Sequence, residues 1–131
     1  MDKPKTILVV DDQPFIAKLI EFNLARHDYV VVSCRDPLQA LATIEALRPD
    51  LLIVDVRMPV MSGTELCQRL RTMPCAAATP IIVLTSQGQA DLEAEARAAG
   101  ANVFMTKPFS PRALAAKVNE LLAAAPPPPV P

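Results

Sequence analysis

The sequence predicts an α/β domain built on a five-stranded parallel sheet, doubly wound by five helices. Three observations lead there. Short runs rich in β-branched residues recur along the chain, apolar at consecutive positions, as strands covered on both faces must be. Segments with helical spacing and marked starts separate them. The links between are short, and strand–helix alternation with short links yields parallel strands joined by right-handed crossovers.

The first strand is expected over Thr6–Val10, closing on the pair Asp11-Asp12. Gln13-Pro14 marks the first helix start, whose stripe is Ile16, Leu19, Ile20 and Leu24. A second strand covers Tyr29–Cys34. Asp36-Pro37 then sets a capping side chain before a proline, and Leu38, Leu41, Ala42 and Ile44 form the next apolar stripe. The third strand, Leu51–Val54, ends on Asp55, and Ser62-Gly63-Thr64-Glu65 has capping-box spacing. Ile81–Thr85 is the fourth strand, followed by the Ala-rich segment Asp91–Ala99 with Gly100 as its C-terminal cap and Glu93 and Arg97 placed to pair on its surface. Asn102–Thr106 is the fifth strand and leads into Lys107-Pro108, a bond whose cis form would aim the lysine. Ser110-Pro111 starts the last helix, Pro111–Leu122. Phe15, Phe22 and Phe109 read as core or loop packing, and Met58 and Met61 as packing for the loop after Asp55.

A chain of 131 residues suffices for one domain, expected over 1–123; the Pro-rich stretch 124–131 is a polyproline tail or the start of a linker. A hydrophobic fraction of 51% excludes a disordered chain. No apolar run spans a bilayer or forms a signal peptide, so a cytoplasmic protein is expected. The net charge of −1 and the absence of Trp give no footing for nucleic acid. Cys34, Cys67 and Cys75 have no metal-ligand spacing and read as reduced, mostly buried thiols. His27 reads as a surface residue at a helix end.

Ligands of open parallel sheets bind at the carboxyl ends of strands, where Asp11, Asp12, Asp55, Thr85 and Lys107 all fall. Singly, each is an ordinary turn or strand-end residue; five at one rim make a site. Carboxylates within reach of one another demand a cation, and oxygen ligands without His or Cys select a hard one: magnesium, or manganese in its place. Asp12 and Asp55 would bind it directly, Asp11 directly or through water, with the backbone carbonyl of Arg57 completing the protein's share. Asp55 could then attack phosphorus, while Lys107 and the Thr85 hydroxyl take phosphoryl oxygens. Ser86 is small enough to leave the group room.

The set Asp11-Asp12, Asp55-Val-Arg-Met-Pro-Val-Met-Ser-Gly63, Leu84-Thr85-Ser86 and Lys107-Pro108-Phe109 resembles the receiver domain of two-component response regulators, of the single-domain chemotaxis regulator type. The likeness runs from about Lys5 to Ala123. It implies a flavodoxin-like sheet of strand order 2-1-3-4-5 and a signalling domain rather than an enzyme with a separate substrate. It implies that Asp55 accepts a phosphoryl group from a sensor histidine kinase or histidine phosphotransfer protein, with self-catalysed dephosphorylation. Thr85 and Phe104 would form the switch, acting on the face of the fourth helix, fifth strand and fifth helix to control a partner or C-terminal output domain, as a monomer or weak dimer. Phe104 stands where many relatives have tyrosine. Arg57 and Gln87 occupy positions that tune phosphoryl lifetime in the family, and the charge-poor last helix weakens an activation-dimer reading. Two other readings compete: a pseudo-receiver acting as a constitutive interaction module, and a magnesium phosphohydrolase, which lacks the usual second aspartate where Arg57 stands. A nucleotide site is excluded, since no Gly-rich loop follows the first strand.

Overall fold

The computed structural model describes residues 4–58, 60–85, 90–107 and 109–123. Its elements run β1 Thr6–Val10, α1 Pro14–Ala25, β2 Val30–Cys34, α2 Pro37–Leu47, β3 Leu51–Asp55, α3 Gly63–Arg71, β4 Ile81–Thr85, α4 Ala90–Ala98, β5 Val103–Thr106 and α5 Pro111–Ala123. All strand pairs are parallel and the order is β2-β1-β3-β4-β5, as expected. The connection from β2 leads not to a neighbour of β2 but across β1 to β3, so the sheet reverses direction beside β1 and leaves a crevice at the β1/β3 carboxyl ends.

The apolar runs explain the layering. Alternate residues of each strand face opposite sides. Leu8, Val10, Leu52, Val54, Ile81 and Val83 join the core closed by α2, α3 and α4, whereas Ile7, Val9, Leu51, Ile53, Ile82 and Leu84 join the core closed by α1 and α5. The central strands are buried except at Thr6, which opens β1; the edge strands β2 and β5 are largely not.

Most helix ends follow the sequence. Asp36 Oδ1 accepts from the Leu38 N–H at 2.9 Å, Ser62 Oγ from Glu65 at 3.1 Å and Ser110 Oγ from Ala113 at 3.2 Å. Gly100 takes φ +112°, the left-handed conformation of a helix C-terminus. Glu93 and Arg97 pair at 3.1 Å. Cys34 and Cys67 are buried and Cys75 partly so, all free, and His27 is exposed. Met61 is buried and Met58 packs on the same core; Phe109 packs on the other.

Five apolar residues expected to pack inward face outward. Phe15 and Phe22 are 76% and 69% exposed, and Leu19 lies on the same outward face. Of the expected α1 stripe, Ile20 and Leu24 are buried and Ile16 packs on the same core; Ala17 is buried in place of Leu19, because the close approach of helix to sheet favours the small residue. On α2, Ile44 is buried and Leu41 packs on the core as expected, whereas Leu38 and Ala42 turn outward and Pro37 and Ala40 are buried. The form of the Lys107-Pro108 bond, the roles of Ser86 and Gln87, and the tail 124–131 fall outside the described residues.

Candidate functional site

Strand register assembles the site. Val10 pairs with Val54, so the next residues, Asp11 and Asp55, emerge side by side from β1 and β3. Asp55 pairs with Leu84, which sets Thr85 one step beyond on β4, and Thr85 pairs with Thr106, which sets Lys107 one step beyond on β5. The Lys107 N–H donates to the Thr85 carbonyl at 2.6 Å, tying the turn down.

The side chains converge. Lys107 Nζ lies 3.0 Å from Asp11 Oδ2, 3.5 Å from Asp55 Oδ1 and 3.2 Å from Gln13 Oε1. Asp11, Asp12 and Asp55 each offer a carboxylate oxygen within 4.8 Å of the others. Asp11 and Asp55 are 1% and 6% exposed and Thr85 is fully buried, so these charges sit in a poorly solvated rim. Burial pushes the Asp55 carboxyl up to about 6, and Asp11 pushes the same way with a smaller contribution from Asp12. The Lys107 ammonium and the Arg57 backbone N–H act in the opposite sense. A carboxylate whose charge is disfavoured by burial and by a second carboxylate is one that a bound cation would relieve. The donor set is oxygen only, which fits a hard divalent ion.

The loop after β3 shapes the open side. A cleft of about 450 Å³ is lined by Asp12, Val56, Arg57, Met58 and Ser62. Gly63 packs directly on the chain carrying Asp55: a Cβ there would stand 2.2 Å from the Asp55 carbonyl oxygen. The Gly63 N–H donates to the Val56 carbonyl at 2.8 Å. Any side chain at Gly63 must therefore displace Asp55 or α3.

A model of the response regulator receiver domain matches residues 7–119. The chain belongs to that family. The receiver domain is 39% identical over 118 residues to the alkaline phosphatase synthesis transcriptional regulatory protein PhoP of Bacillus subtilis, covering 90% of this chain and 48% of the relative. It is 38% identical to the phosphate regulon transcriptional regulatory protein PhoB of Pseudomonas aeruginosa, covering 90% and 52%. This receiver thus spans about half the length of those curated relatives. The solved structure of the Vibrio cholerae chemotaxis protein CheY4 superposes with a TM-score of 0.87 at 32% identity, covering 92% of this chain and all of that one. A beryllofluoride-activated DrrB receiver domain superposes with a TM-score of 0.84 at 29% identity, covering 92% of this chain and 99% of that one.

Asp11, Asp12, Asp55 and Lys107 are brought together as the sequence predicts, with Thr85 at the adjoining strand end. Phe104 stands in β5 opposite Val83, partly buried against the α2/α3/α4 core. For Arg57, the backbone N–H engages the Asp55 carboxylate. Gln13 is the residue that sequence reasoning missed. Its place in the sequence marks a helix start, yet its side chain reaches Lys107; the signal for that is that glutamine is not among the residues favoured at a helix N-cap. Among the described residues no helix is long and apolar enough to cross a membrane.

Proposed function

We propose that this receiver accepts a phosphoryl group on Asp55 from the phosphohistidine of a sensor kinase or histidine phosphotransfer protein, in the cytoplasm. The observation that carries the reading is the convergence of three carboxylates and one ammonium on a single buried rim. Asp11, Asp12 and Asp55, with the Arg57 carbonyl, would hold magnesium, or manganese in its place; the ion supplies charge neutralisation at the phosphoryl oxygens. An Asp55 carboxylate oxygen attacks phosphorus, the phosphorus–nitrogen bond breaks and the imidazole leaves with its electron pair. The Lys107 ammonium donates to a phosphoryl oxygen, and the Thr85 hydroxyl donates to another. Hydrolysis of the aspartyl phosphate by water returns the resting carboxylate.

The exposed stripe Phe15, Leu19 and Phe22 on α1 begins beside this rim, and a donor protein presenting its histidine to Asp55 would rest on it. Thr85 and Phe104, on adjacent strands, would pass the change to the α4/β5/α5 face and so to a partner or an output domain. Residues 1–123 form the receiver, and 124–131 begin a linker or tail. The complete acid set with Lys107 disfavours a pseudo-receiver, which would need neither.

The test uses magnesium with acetyl phosphate as a small donor. The wild type should gain acid-labile phosphate and Asp55→Asn should gain none; labelling of that variant at the wild-type rate would defeat the assignment. Asp12→Ala should weaken magnesium binding by at least about tenfold, since even outer-shell partners are worth about 10–100-fold in metal affinity. Unchanged affinity in a calorimetric titration would place the ion elsewhere.

A further inference from the structure

Helix α1 starts differently from α2, α3 and α5. Asp36, Ser62 and Ser110 each cap their helices with a side-chain oxygen. Gln13, the N-cap residue of α1, makes no such bond. Glutamine is not among the residues favoured there, so the first turn of α1 forgoes a stabilising contact that serine or aspartate would supply. A local rule broken at the edge of a functional site points to another use of the residue.

That use is visible in the bonds Gln13 makes. Its backbone N–H donates to Asp11 Oδ1 at 2.9 Å. The second oxygen of the same carboxylate, Oδ2, accepts from Lys107 Nζ at 3.0 Å, and Nζ also donates to Gln13 Oε1 at 3.2 Å. The three residues close a ring. An ammonium has three donors; two are held by Asp11 and Gln13, and Asp55 Oδ1 lies 3.5 Å from the same nitrogen. Lysine carries a flexible stem with much rotamer freedom, and fixing it beforehand lowers the entropic cost of the contact it makes next. A neutral amide oxygen does this without adding a fourth negative charge to a rim that must admit a phosphoryl group.

We infer that Gln13 is a positioning residue for phosphoryl capture, holding the Lys107 ammonium over Asp55 before the donor arrives. The inference rests on the reading of Lys107 as a phosphoryl ligand.

Gln13→Ser restores a capping side chain and Gln13→Leu keeps bulk without the carbonyl. Both are compared with wild type and Lys107→Ala for magnesium affinity, for beryllofluoride binding at saturating magnesium, and for thermal midpoint. Both Gln13 variants should bind beryllofluoride roughly three- to tenfold more weakly, in keeping with the net worth of one ordinary hydrogen bond. Magnesium affinity should stay within about twofold, because Gln13 touches the ammonium and not the ion. Gln13→Ser should melt no lower than wild type. In a Lys107→Ala background the effect of either variant should vanish, which a merely structural role would not produce. Wild-type beryllofluoride affinity in both variants overturns the inference, as does an undiminished loss without Lys107. Should Lys107→Ala itself bind beryllofluoride as wild type does, the underlying reading of the lysine is what fails.

Discussion

Asp55 combines burial with two neighbouring carboxylates, and its pH behaviour follows from that. Its carboxyl rises from an ordinary value near 3.8 to about 6, with burial the largest cause and Asp11 next. Between those values the folded protein retains a proton that the unfolded chain has released. Metal-free stability from this group is therefore highest at low pH and falls as pH rises from about 4 to about 6, by roughly 2–3 kcal/mol at about 1.4 kcal/mol per pH unit. Denaturant midpoints in a chelator, taken from pH 4.5 to 7, should show this decline, and Asp55→Asn should flatten it. A variant that kept the full slope would show that another group is responsible. Magnesium at pH 7 should recover stability, because a ligand bound only by the folded state adds to it.

At the scale of elements, one side chain joins the ends of four. Arg71, in the last turn of α3, donates through Nε and Nη2 to the Gly100 carbonyl at 3.1 and 2.7 Å. Its Nη1 reaches the carbonyls of Ala76 and Thr79 at 2.9 and 2.7 Å, and Nη2 reaches Asn102 Oδ1 at 3.1 Å. That same Asn102 oxygen accepts the first N–H of β4, from Ile81, at 2.9 Å. Gly100 is required twice over, by its φ of +112° and because a Cβ would stand 2.7 Å from the Arg71 Cγ. The clamp lies at the sheet end remote from Asp55 and fixes where α4 stops. Arg71→Met should cost roughly 2–4 kcal/mol by stranding several partly buried carbonyls, read as a lower denaturant midpoint. Arg71→Lys should recover little of it, since an ammonium cannot span the fork's acceptors. Acetyl phosphate labelling of the surviving folded fraction should persist in both.

For the whole molecule, the sheet divides the interior into two cores, both assembled from described residues. The α1/α5 core includes Leu121 and Leu122, near the end of the described residues. A chain cut after Ala123 should therefore melt within about 3 °C of the full chain and bind beryllofluoride equally well. A larger fall would show that the Pro-rich stretch 124–131 belongs to the domain.

What the sequence determined by itself was the order of elements, the buried strands and the rim at their carboxyl ends. Those features rest on local signals: consecutive β-branched residues, Asp36, Ser62 and Ser110 as caps, Gly100 as a stop, and polar residues placed where each apolar run ends. Strand order was legible only through likeness to a family, because spacing along the chain does not say which strand lies beside which. The tertiary structure decided the rest. Phe15 and Phe22 fit an amphipathic stripe as well as Ala17 does, and only the packing of α1 on the sheet selects the small residue and leaves the aromatics outside. Arg71 and Arg69 look alike in the last turn of α3, yet one reaches Gly100, distant in sequence, and the choice lies in the direction each faces. Gln13 and Lys107 meet because register brings β1 and β5 to one rim, a contact between residues 94 apart in the chain that no local pattern encodes.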